Sequence, residues 1–242
     1  MTLFTRQHSH QSPSTFEKDQ TTADIESGVR SDTAPITSLE TKDEVLDPNI
    51  VWWDGPNDPE NPRNWSNIQK YTNVALVSTM SFVMPLASSM LAPGVPQLME
   101  EFHSDNEELA SFVVSVYVIG FALGPMVLAP MSEVYGRLPV YYACNVLFTI
   151  FSVACAVSSN LGMLIGFRLL AGCAGSAPLS NGGGTISDLI IQEKRGASLS
   201  FYAMGPLLGP TLGPVAGGYL ALAKGWRWNF WVIAIAVSIV LV

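Results

Sequence analysis

From Gly205 to Gly218 glycine stands at 205, 209, 213 and 217 and proline at 206, 210 and 214, inside a run from Gly196 to Ala223 that holds no charge. In water this is a poor helix, since an interior glycine costs about 1 kcal/mol and a proline about 3. In lipid the balance changes. Backbone N–H and C=O groups find no water there, so a long uncharged run satisfies them best as a helix. Glycines four apart share one face and let a neighbouring helix approach to backbone distance. Each proline withholds a hydrogen bond and bends the rod. The run predicts a kinked transmembrane helix with a bare, glycine-lined edge.

Other apolar blocks accompany it. A crossing needs about 20 predominantly apolar residues. Residues 71–92, 109–131, 138–159, 161–187 and 196–223 meet that length, and 228–242 begins a sixth block that is short of it. Ser66 with Gln69, and Ser104 with Glu107, predict capping boxes that open the first two helices. Pro85 should kink the first. With 48% hydrophobic and 13% charged residues, the composition fits an all-α membrane protein. The expected organisation is a disordered acidic cytosolic tail over 1–50, a proline-broken cytosolic or interfacial segment over 51–70, and a transmembrane bundle over 71–242. The lipid bilayer is then the first partner.

The net charge of −8 belongs to the tail: before Arg63 stand four basic and twelve acidic residues, and the remainder balances at eight against eight. No basic patch supports nucleic-acid binding. Cys144, Cys155 and Cys173 fall inside apolar blocks and read as buried small hydrophobes. His8 and His10 lie in the tail and His103 in a polar loop, so no metal site and no catalytic constellation is expected, and no cofactor. Asn181 to Thr185 is glycine-rich but lacks the strand and the Lys-Ser/Thr ending of a phosphate loop; it reads as a flexible end of the fourth span. Arg63, Lys70, Arg137, Lys194 and Arg195 share one side, which predicts a cytosolic N-terminus, against the contrary Lys224 and Arg227.

Candidate functional residues follow from charge and geometry. Arg168 is the one charge well inside a complete span, roughly 10 Å from its outer end. A charge there costs at least ~2.5–3.5 kcal/mol, so it should face a wet cavity or a partner, or else snorkel outward. The complete spans contain no Asp or Glu, which leaves Asn145 and Tyr202 as polar cavity candidates. Gly136 permits a tight turn between the second and third spans, where Glu133 and Arg137 can pair or cap helix ends.

Several strings resemble the major facilitator superfamily, in the fungal twelve-span branch of its drug:proton antiporters, of multidrug or polyamine type. Asp58-Pro59-Glu60-Asn61-Pro62 and Asn64-Trp65-Ser66 look like the segment before its first span. Gly209, Gly213, Pro214, Gly217 and Gly218 resemble its fifth-helix antiporter motif, and Arg168 with Gly172 its fourth-span motif. Glu133, Gly136 and Arg137 resemble its cytoplasmic gating loop, with Glu in place of the usual Asp and Val134 in place of a basic residue. The resemblance implies the N-terminal six-helix bundle of that fold, the sixth helix truncated. It implies proton-coupled export of small organic solutes by alternating access, at the plasma membrane. Arg168 would take part in proton coupling, the fifth-helix glycines in sealing and the loop in gating. Partners would be a small-molecule substrate, protons and a second six-span half missing from this chain. The alternative is a transport-inactive fragment, or a half-transporter that dimerises through its glycine face.

Overall fold

The computed structural model describes residues 58–59 and 61–241. The expected tail over 1–50 and the start of the 51–70 segment lie outside them. Regular structure among the described residues is helical throughout: α1 Asn67–Ser89, α2 Val95–Glu101, α3 Glu107–Tyr135, α4 Arg137–Ala156, α5 Leu161–Gly175, α6 Ala177–Leu189, α7 Gln192–Lys224 and α8 Arg227–Leu241. Short 3-10 turns at Pro62–Asn64 and Ala92–Gly94 precede α1 and α2.

Local chemistry sets most of the boundaries. Ser66 caps α1: its Oγ accepts the Gln69 N–H at 3.3 Å, and Gln69 Oε1 accepts the Ser66 N–H at 3.2 Å. The box expected at Ser104 does not form. Asn106 caps α3, its Oδ1 accepting the Glu108 and Leu109 N–H groups at 2.9 and 3.2 Å. Ser104 serves the preceding helix instead. Its N–H donates to Met99 C=O and the His103 N–H to Glu100 C=O, a Schellman end with His103 at φ 52°. Gly136 makes the single-residue link between α3 and α4 at φ 87°, and Gly225 links α7 to α8 at φ 91°, both backbone conformations that a side chain would strain.

The fourth apolar block, expected as one rod over 161–187, is two helices. Pro178 lacks an N–H in the first turn of α6, and the chain breaks at Ser176. Asn181 to Thr185, expected as a flexible end, is helical within α6, with Asn181 and Gly182 buried. The glycines there admit neighbours: a Cβ at 182 would meet the Tyr202 ring, 2.5 Å from its nearest atom.

The helices pack in pairs, α1 along α7, α3 along α5, and α4 against α5 and α8. The glycine edge of α7 lies on α1. A Cβ at Gly205 would stand 2.9 Å from Phe82 N, one at Gly209 2.8 Å from Phe82 O, and one at Gly217 would run into the Met90 carbonyl. Gly120 of α3 and Gly172 of α5 interlock likewise, each against a backbone carbonyl of the other helix, Leu169 and Tyr117. Three apolar clusters fill the bundle from the Arg137 end, through Met84, Phe148 and Val237, to Leu98, Leu164 and Trp226.

Four stretches among the described residues are long and apolar enough to cross a membrane: Asn67–Glu101, Glu107–Tyr135, Arg137–Ala156 and Leu161–Leu189. The 33-residue α7 is not among them, because its glycines and prolines lower its hydropathy without adding charge. Its length and its seat along α1 set it in the bundle.

Candidate functional site

Arg168 projects from α5 into the bundle and is 1% exposed. It does not snorkel. Its Nη2 donates to the Ser88 carbonyl at 3.2 Å. Ser88 lies in the last turn of α1, where carbonyls lack intrahelical donors and carry the negative end of the helix dipole. The guanidinium carbon stands 5.3 Å from the Tyr117 ring centre and 5.7 Å from that of Phe230, so two π-faces also receive the charge. Tyr117 and Asn229 serve the same stretch of α1: Tyr117 Oη donates to Met84 C=O at 2.9 Å and Asn229 Nδ2 to Met90 C=O at 3.0 Å. Side chains of α3, α5 and α8 thus converge on the end of one helix.

Asn145 and Tyr202 do not join them. Asn145 is buried on α4 and donates to Met80 Sδ at 3.3 Å. Tyr202 Oη donates to the Pro178 and Leu179 carbonyls at 3.0 and 2.9 Å, pinning α7 to α6 just past the break.

At the Arg137 end the side chain reaches well beyond its own loop. Arg137 Nε pairs with Asp188 Oδ2 at 3.0 Å, and Nη1 donates to Asn181 C=O at 3.0 Å. Gly184 makes room for it, since a Cβ there would collide with the guanidinium. Ser132 Oγ donates to Asn181 Oδ1 at 3.0 Å, so α3, α4 and α6 are tied at one point. Glu133 is exposed close by.

The opposite end carries a clasp that the sequence did not suggest. Glu101, at the end of α2 and beyond α1, accepts from Trp226 Nε1 at 2.7 Å and from Arg227 Nη2 at 2.8 Å. Arg227 Nη1 donates to Ala156 C=O at 2.7 Å, and its guanidinium carbon lies 4.6 Å from the Trp226 ring centre. These partners are far apart in the chain and carry no shared motif. Opposite charges in segments flanking two spans were the available signal.

Similarity to known proteins agrees with this architecture. The family model described as Major Facilitator Superfamily matches residues 77–242. The chain belongs to the major facilitator superfamily. Among its curated relatives, MFS-type transporter tndD of Aspergillus flavipes is 59% identical over 229 residues, 91% of this chain and 42% of that protein. Efflux pump radE of Floropilus chiversii is 54% identical over 207 residues, 86% of this chain and 38% of that one. The Trichosetin biosynthesis cluster MFS transporter of Gibberella fujikuroi is 45% identical over 232 residues, 93% and 47% of the two chains. The chain thus spans less than half the length of these relatives. A crystal structure of the peptide transporter POT in complex with sulfate shares the fold at TM-score 0.62 and 18% identity, covering 70% of this chain and 36% of that one. Family and apolar helices together make this an integral membrane protein of a transporter family rather than an enzyme family.

Proposed function

We propose that the full-length protein is a proton-coupled exporter of small organic solutes, drug-like or polyamine-like, and that this chain supplies its first six-helix bundle. The family match over residues 77–242 carries the reading, together with relatives described as transporters and an efflux pump. Two six-span bundles rock about a site near the membrane midplane, and proton entry drives export. In this scheme α7 makes the fifth crossing, the N-terminus is cytosolic and the membrane is the plasma membrane. Arg168 takes part in proton coupling. Gly209, Gly213 and Gly217 keep α7 close on the end of α1, and with Pro214 and Gly218 they seal the bundle against leaks. Glu133, Gly136 and Arg137 form the gate, with Asp188 as the anchor of Arg137.

A dimer built on the glycine face of α7 is disfavoured, because α1 occupies that face. The test of transport uses vesicles carrying the full-length protein under an imposed proton gradient. Solute should move against its own gradient, and Arg168→Ala at equal abundance should abolish the proton dependence. Unchanged efflux in that variant would remove Arg168 from the mechanism.

A further inference from the structure

Ahead of the first span stand Asp58, Asn61, Pro62, Asn64, Trp65 and Ser66, and the transport scheme assigns them nothing. Their polar groups serve to fold the segment itself. Asn61 Oδ1 accepts the Arg63 N–H at 3.0 Å and caps the 3-10 turn, with Pro62 at its start. Asn64 Nδ2 donates to the Asp58 carbonyl at 2.9 Å, and the Asn61 N–H donates to the same carbonyl at 3.2 Å. Lys70 Nζ, in the first turn of α1, reaches back to the Arg63 carbonyl at 2.6 Å. The segment is thus tied to itself and to α1. What it turns toward the bundle is apolar. Pro62 is buried, and its turn lies against α6. The half-buried Trp65 packs on the cluster that holds Ile186, Leu189 and Ile190 from the end of α6, with Val77 of α1 and Tyr141 of α4.

The end of α6 needs such support. The helix has 13 residues, is broken from α5 at Ser176, and carries glycine at 182, 183 and 184, so it has little side-chain surface of its own to bury. Its last turn bears the contacts that close the Arg137 end: Asp188 pairs with Arg137, and the Ser187 carbonyl accepts from Arg195 Nη2 at 2.8 Å. The Asp188 side chain is 53% exposed. An ion pair in reach of water holds little by itself, typically no more than about 1 kcal/mol. Pro62 and Trp65 supply the apolar restraint, on residues that flank Asp188 in the same helix end. We propose that the segment 58–66 is a strap that fixes the far end of α6, with Trp65 as the positioning residue that keeps Asp188 against Arg137. Its consequence for transport rests on the gating role proposed for Arg137; its hold on α6 does not.

The test follows amide exchange in the full-length protein in nanodiscs. Trp65→Ala should speed exchange roughly tenfold in α6 and at the α3–α4 link, the scale of a local opening eased by loss of part of an aromatic's buried area. The rates in α2 and at the start of α8 should stay native, and Trp65→Phe should keep most of the protection. Asn64→Ala cuts the tie to Asp58 from an exposed position and leaves the apolar cluster whole; it should speed the same two regions to a smaller extent. Combined with Asp188→Asn, Trp65→Ala should add little at the α3–α4 link, because the pair that it positions is already gone. Acceleration confined to the strap overturns the proposal, as does a fully additive double variant at the link. Native exchange in α6 of Asn64→Ala overturns it even where Trp65→Ala loosens the whole molecule. Efflux is measured on the same variants. Exchange as expected with unaltered efflux keeps the strap and takes the gating role from Arg137.

Discussion

At the scale of single residues, the bundle is sensitive to a methyl group in some places and indifferent in others. Gly217 faces the Met90 carbonyl so closely that a Cβ has nowhere to go, whereas Gly166 on α5 has nothing within 4 Å. Gly217→Ala should destabilise the protein by about 1–3 kcal/mol, the usual cost of overpacking. Gly166→Ala should be neutral or stabilise by up to about 1 kcal/mol, since it only relieves glycine's helix penalty. Unfolding in mixed micelles followed by circular dichroism would measure both. Residue-level features were legible where the signal was local. The Ser66–Gln69 cap and the Gly136 turn come from a few adjacent residues. The Asn106 cap was missed because Ser104, two positions earlier, carries an equally good signature, and the deciding fact was the Schellman end of α2.

Between whole helices, two kinds of contact alternate. Along α1 and α7, and again along α3 and α5, backbone lies against backbone and dispersion supplies the attraction. Elsewhere single polar side chains fasten one helix to the carbonyls of another. Tyr202 is the clearest case, its hydroxyl shared between Pro178 and Leu179 of α6. Tyr202→Phe keeps the ring against Gly182 and removes this bond, and should cost about 1 kcal/mol in the same unfolding measurement. The long α7 was readable from its glycine spacing, and so was the bareness of one edge. Its neighbour was not, because nothing in residues 205–217 names Phe82 or Met90. The break at Ser176 was overlooked for a related reason: an uncharged block reads as one rod until the missing N–H of Pro178 is weighed against the turn before it. Arg168 was singled out by its charge, yet its partners Ser88, Tyr117 and Phe230 come from three other helices that only tertiary structure brings together.

Over the molecule as a whole, the two ends are fastened by separate devices, Arg137 with Asp188 and Asn181 at one and Glu101 with Trp226 and Arg227 at the other. They share no residue, so each should loosen alone. Asp188→Asn should speed amide exchange at the α3–α4 link and in α6 while sparing α2 and the start of α8, and Glu101→Gln should do the reverse. Exchange that rises at both ends in either variant would mean the fastenings are coupled. The bundle shape, the family and the exceptional character of Arg168 were all visible before any coordinates. The clasp and the partners of Arg168 were not, since each joins segments distant in the chain. The glycine contact between α1 and α7 has one more consequence, for heredity. Where two backbones touch, four small residues must stay small, but no side chain has to match another across the seam. The outward sides of α7 are thus free to drift without a compensating change in α1, and a lineage of such proteins can vary what this helix presents to its surroundings while leaving its mooring untouched.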